Sequence, residues 1–157
     1  TRIETVEAYL RALVDALILH ACEQVGLSGK DILRPQRKFY PVDTGLRNLA
    51  GGFVSGNIGF QIENVVYNEL LRRGWSVTVG SLRAGEVDFV VERAQKRMYI
   101  QVTESLVDQG VFEREISPLL LIGDSWPKFI LTADRLRCGV TEEGVAIVNV
   151  IDWLLGR

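Results

Sequence analysis

Polar and apolar residues alternate with period two along two neighbouring stretches, Glu86–Glu92 and Arg97–Thr103, and this predicts a pair of strands. A tight turn at Ala94-Gln95 joins them, without the Asn-Gly signal of the favoured hairpin turns. With a two-residue loop, Glu92 falls opposite Arg97, Asp88 opposite Gln101 and Glu86 opposite Thr103. One face of the hairpin then carries Val87, Phe89, Val91, Met98, Ile100 and Val102, an apolar surface fit for a core. The other face gathers Glu86, Asp88, Gln101 and Thr103 at one end. A one-residue bulge would scatter that cluster, because side chains change face at every step. An acid followed by polar oxygen donors on the next strand suits a hard divalent ion such as Mg²⁺, and equally describes a solvated sheet face.

Elsewhere the pattern is helical. Val6, Leu10, Leu13, Val14, Leu17 and Ile18 recur at helical spacing and predict an amphipathic helix from Thr5 to about Gln24. A turn follows, then an extended basic segment with Lys30, Arg34, Arg37 and Lys38. Helix and segment together read as the second half of a winged helix, or as a solvated hairpin. Thr44-Gly45 and Ala50-Gly51-Gly52 mark a boundary to the main domain. The next predicted helix, Ile58–Arg73, has a polar arc of Asn64, Asn68, Gln61 and Arg72. Glu63 lies outside that arc, between Leu70 and Tyr67, where an unpaired carboxylate is costly. It is either held by a scaffold partner or aimed at the polar cluster of the hairpin.

Trp75–Gly80 predicts a strand, and Val111–Ile122 a helix that Pro118 kinks or shortens. Lys128–Thr132 is apolar throughout its centre, as in a buried parallel strand. A strand at Val145–Val150 and a helical turn at Ile151–Leu155 follow. The helix between Thr103 and Lys128 makes the strands of Ile100 and Phe129 parallel, through a right-handed crossover.

Composition narrows the function classes. A chain of 157 residues with 47% apolar and 24% charged residues holds one sizeable core. Its net charge of −2 supplies no global field to draw in nucleic acid, so any such binding needs a local patch. Cys22 and Cys138, far apart in sequence, suit a reducing, cytoplasmic setting. The lone histidine, His20, excludes a His-rich zinc site and a Ser-His-Asp triad within the chain. No phosphate-binding loop of the G-x-x-x-x-G-K-[ST] type is present, so there is no ATP site in these residues. No run of membrane-spanning length occurs, and no membrane partner is expected.

The order of elements, with Asp88 and the Gln101-Val102-Thr103 triplet, resembles the PD-(D/E)xK nuclease superfamily. Its restriction-endonuclease-like fold is α/β, a mixed sheet flanked by helices. More closely, G-F-Q-I-E-N-V-V-Y-N-E-L-L-R-R-G-W, E-V-D-F-V-V, Y-I-Q-V-T and W-P-K-F-I-L-T-A-D are similar to the C-terminal domain of a group of prokaryotic AAA-type ATPases. That domain is of unassigned function. The resemblance covers residues 38–157. It implies a partial winged-helix segment at 1–45, a nuclease-like domain at 46–157 and an ATPase module upstream in the same protein.

Residue by residue, the resemblance implies that Asp88 is the first metal-binding acid, Gln101 the second, and Glu63 the acid often found on the first helix. Thr103 stands in the place of the catalytic lysine. A threonine supplies no positive charge to a phosphoryl transition state, and glutamine at 101 takes a negative charge from the metal site. Lys128 starts its strand at the end remote from Thr103, whereas Arg114 is nearer. The resemblance therefore implies a degenerate site with Mg²⁺ held weakly or not at all by Asp88 and Gln101. Three functions compete: a non-cutting module that binds DNA through Lys30, Arg34, Arg37 and Lys38 or binds a protein partner; an active Mg²⁺-dependent nuclease; and a structural or oligomerisation domain.

Overall fold

The structure, a computed structural model, describes residues 2–27, 36–52, 58–83 and 85–157. Its elements are α1 (Ile3–Asp15), β1 (Leu19–Gly26), β2 (Arg37–Pro41), α2 (Thr44–Gly51), α3 (Ile58–Arg72), β3 (Ser76–Leu82), β4 (Gly85–Arg93), β5 (Lys96–Thr103), α4 (Gln109–Leu120), β6 (Lys128–Thr132), β7 (Gly139–Val140), β8 (Ala146–Asn149) and α5 (Val150–Leu155). The strands form one eight-stranded sheet in the order β2-β1-β3-β4-β5-β6-β8-β7. The expected class, a mixed α/β sheet flanked by helices, is the observed architecture. As the crossover through α4 requires, β5 and β6 are parallel, from Tyr99 beside Lys128 to Thr103 beside Thr132.

Two apolar layers sandwich the sheet. On one side, Val66, Tyr67 and Leu70 of α3 pack with Phe89, Val91, Ile100 and Val102. On the other, Ile116 and Leu119 of α4 pack with Val90, Tyr99 and Ile130. Helix ends follow local chemistry. Asp108 caps α4 by accepting from the Val111 amide at 3.0 Å, and the helix stops two residues beyond Pro118. Gly74, at φ +76°, takes the left-handed turn that ends α3.

The expectation for the N-terminal helix is corrected. The helix predicted to run to Gln24 ends at Asp15, and Leu17 turns the chain with φ +56°. Residues 19–26 instead form β1, because the sheet offers them partners on both sides, β2 and β3. Through that pairing the β1–β2 hairpin joins the main sheet at its edge. Around the expected boundary the chain forms α2, whose start Asp43 caps through the Gly45 and Leu46 amides. Finally, the polar arc predicted on α3 is split, with Arg72 open to water and the asparagines turned onto β2. Asn64 is fully buried, and the side-chain amides of Asn64 and Asn68 donate to the Pro41 carbonyl at 3.0 and 3.1 Å, docking α3 on β2.

The central hairpin keeps its expected register from Arg93 opposite Lys96 to Phe89 opposite Ile100. Beyond Phe89 the pattern breaks. Along β3, Thr78 pairs with Val90 but Gly80 pairs with Val87, so Asp88 and Phe89 together oppose Val79. This is a β-bulge, which bends a strand and re-aims its side chains. Val87 accordingly sits in the α4-side layer, not with Phe89 and Val91 as the alternation predicted. Gly80 makes this possible, since a Cβ there would lie 2.6 Å from Leu27 and 2.9 Å from Val90 side-chain atoms.

Candidate functional site

The bulge opens the hairpin at Asp88, and side chains take over where the ladder stops. The Val102 amide donates to Asp88 Oδ2 at 2.8 Å, and the Asp88 amide donates to Gln101 Oε1 at 3.2 Å. The polar face expected to hold Glu86, Asp88, Gln101 and Thr103 side by side is thereby divided. Gln101 turns toward α4, where its Nε2 donates to Glu115 Oε2 at 2.9 Å. Arg114 holds the other oxygen of Glu115 at 2.7 Å. Thr103, also buried, donates its hydroxyl to the Ser105 carbonyl at 3.4 Å.

The Asp88 carboxylate faces the other way, toward β2 and α3. There Lys38 Nζ stands 2.6 Å from Glu86 Oε1, 3.4 Å from Glu63 Oε1 and 3.7 Å from Asp88 Oδ1. Two residues further along the same face of β2, the Tyr40 hydroxyl donates to Glu63 Oε1 at 2.6 Å. So the half-buried acid on the apolar side of α3 has partners: a tyrosine and an ammonium from the N-terminal hairpin. Stacking fixes the tyrosine, whose ring lies 4.2 Å from that of Tyr67 and 5.8 Å from that of Phe89, centroid to centroid.

Burial sets the electrostatics of this cluster. It pushes the Asp88 carboxyl well above the usual aspartate range, and the neighbouring charge of Glu63 adds to the rise. Lys38 loses solvation too, but Glu63, Glu86 and Asp88 outweigh that loss and hold the ammonium above its ordinary value. The Tyr40 phenol is driven up by burial and then by Glu63, so it remains a donor. One ammonium is shared by three carboxylates, and the site as a whole is acidic.

Of the residues expected to bind nucleic acid, Lys38 is turned inward onto these acids. Arg37 points away and pairs with Glu23 at 2.8 Å on the surface. Lys30 and Arg34 lie outside the described residues. Lys128, as anticipated, is remote from Thr103, and its Nζ donates to the Ile122 and Asp124 carbonyls at 2.9 and 3.1 Å. Sequence reasoning missed Tyr40, Glu115 and the inward role of Lys38. The signal was the K-F-Y spacing, which puts Lys38 and Tyr40 on one face of a strand.

These donors do not fit a Mg²⁺ ion as they are arranged. Mg²⁺ demands near-octahedral oxygen ligands. Gln101 Oε1 is taken by an amide, Asp88 Oδ2 by another, and a lysine stands among the remaining carboxylate oxygens. Among the described residues, no group of three or more His, Cys, Asp or Glu side chains is placed to hold a metal ion.

Fold and site together define a mixed α/β domain with a half-buried acid–ammonium cluster where its central hairpin opens. No protein-family model matches the chain, and no solved structure matches it. An uncharacterized protein of Haemophilus influenzae is 36% identical over 152 residues, which make up 96% of this chain and 37% of that protein. The chain therefore spans little more than a third of the length of the curated relative it matches. Among the described residues, no helix is long and apolar enough to cross a membrane.

Proposed function

We propose that this is a nuclease-fold module that does not cut, acting as a binding element within a longer cytoplasmic protein that carries an ATPase. The observation that supports this reading is the position of Lys38 Nζ, within 3.7 Å of Glu63, Glu86 and Asp88. A phosphodiester cannot be attacked efficiently without positive charge aimed at its developing oxyanion. Here the local positive charge is consumed by carboxylates, and positions 101 and 103 carry neutral side chains. Among the described residues this cluster leaves no cation free for a phosphate backbone. The resemblance to the PD-(D/E)xK superfamily, together with the extra length of the Haemophilus relative, supports the larger assignment to an ATPase tail.

Plasmid nicking with Mg²⁺ or Mn²⁺ tests this reading, with Asp88→Ala as the contamination control. The expected result is no nicking above that control. Nicking that depends on Asp88 would overturn the proposal and establish a metal-dependent nuclease.

A further inference from the structure

The turn end of the β4–β5 hairpin, at the opposite end of the strands from Asp88, has a different surface. Arg73 lies over the Trp153 ring at 4.2 Å and Arg93 over the Trp75 ring at 4.6 Å. Arg93 Nη1 also donates to the Arg73 carbonyl at 2.9 Å, so the two guanidinium–indole pairs are continuous. Next to them, across the Ala94-Gln95 turn, is a groove of about 320 Å³ lined by Glu92, Ala94, Gln95, Lys96, Arg97 and Trp126. All three tryptophans of the chain thus lie at this end. Trp126 is 41% exposed, in a loop that an Asx turn on Asp124 and the start of β6 hold in place. Arg93 and Lys96 are exposed and take part in no salt bridge among the described residues.

We propose that this end of the sheet binds single-stranded nucleic acid, with Trp126 as a stacking platform for a base and Lys96 and Arg93 as phosphate contacts, while Arg97 stays paired with Glu92. An open aromatic face beside a row of cations is the combination that holds single strands irrespective of sequence. A duplex hides its base faces and is read by an element that enters a groove, whereas Trp126 sits in the short loop between α4 and β6. An acidic peptide would use the cations but has no need of the indole. The site is separate from the Lys38 cluster, so binding here stands whether or not Asp88 supports cleavage.

The test is fluorescence anisotropy of a labelled oligothymidylate titrated with the 157-residue chain at several salt concentrations. Binding should weaken as salt rises. Trp126→Ala and Lys96→Glu should each weaken it about ten-fold, with melting temperatures unchanged. Arg83→Glu, the same change of charge at the β3–β4 turn, should leave it little altered. Three results would each overturn the proposal: no binding at low salt, equal weakening by Arg83→Glu, or full binding by Trp126→Ala. Displacement of the oligonucleotide by polyglutamate as readily as by unlabelled oligothymidylate would also overturn it, and would assign the surface to an acidic protein.

Discussion

At the turn of the β4–β5 hairpin, Glu92 and Arg97 face each other across a regular ladder, both about half open to water. Four residues back along β4, Asp88 sits at a bulge, nearly sealed from solvent, with Lys38 and Glu63 as its charged neighbours. Both places pair an acid with a base. In water the pair is weak, since ions lose little by separating and side-chain entropy opposes their meeting. Under burial, what matters is the state left when one partner is removed, because an uncompensated charge then stays behind. The same hairpin carries an ornamental ion pair at one end and a structural one at the other.

The largest expected effect comes from removing the half-buried cation. Lys38→Met should destabilise the chain by about 3 kcal/mol, the low end for breaking a buried pair, because the lysine side chain is 31% exposed. Urea unfolding measures it; a loss below about 1 kcal/mol would place the cluster with the surface pairs.

A second test uses pH. Asp88 has a raised folded-state pKa, so the folded chain holds a proton that the unfolded chain releases. The stability this provides is complete below the ordinary aspartate pKa of about 3.9 and is lost as pH rises through the raised value. Asp88→Asn keeps the shape without the charge. Its melting temperature should gain on that of the wild type as pH rises from acid toward neutral and beyond. A constant difference between the two proteins would mean that Asp88 is ionised throughout. The smallest effect should come from the exposed pair: Arg97→Ala should cost less than about 1 kcal/mol and vanish in high salt. A larger, salt-resistant loss in urea unfolding would erase the contrast between the two ends.

Much of the sheet was legible in the sequence, because strands such as Lys96–Thr103 and helices such as Ile58–Arg72 carry a single period. Residues 17–24 carried two. Leu17 and Ile18 continue the helical stripe of α1, yet the same stretch also fits a strand, and only the distant partners in β2 and β3 decide between them. The bulge at Asp88 was invisible for a related reason. It arises from the packing of Leu27, Val87 and Val90 against the bare backbone of Gly80, a three-dimensional event with no local periodic signature. Lys38 was read among solvated basic residues because its neighbours in sequence are basic. Its neighbours in space are acids from α3 and β4.

The neutralising charge of the acid cluster comes from an edge hairpin 25 residues before Glu63, not from the strands that carry Asp88 and Gln101. In evolutionary terms, the cluster can therefore change character without any change in the middle of the sheet. A relative that lost the lysine, or traded the hairpin for another appendage, would inherit three converging carboxylates with no internal counter-ion. The centre would be the same, and only its charge would be new.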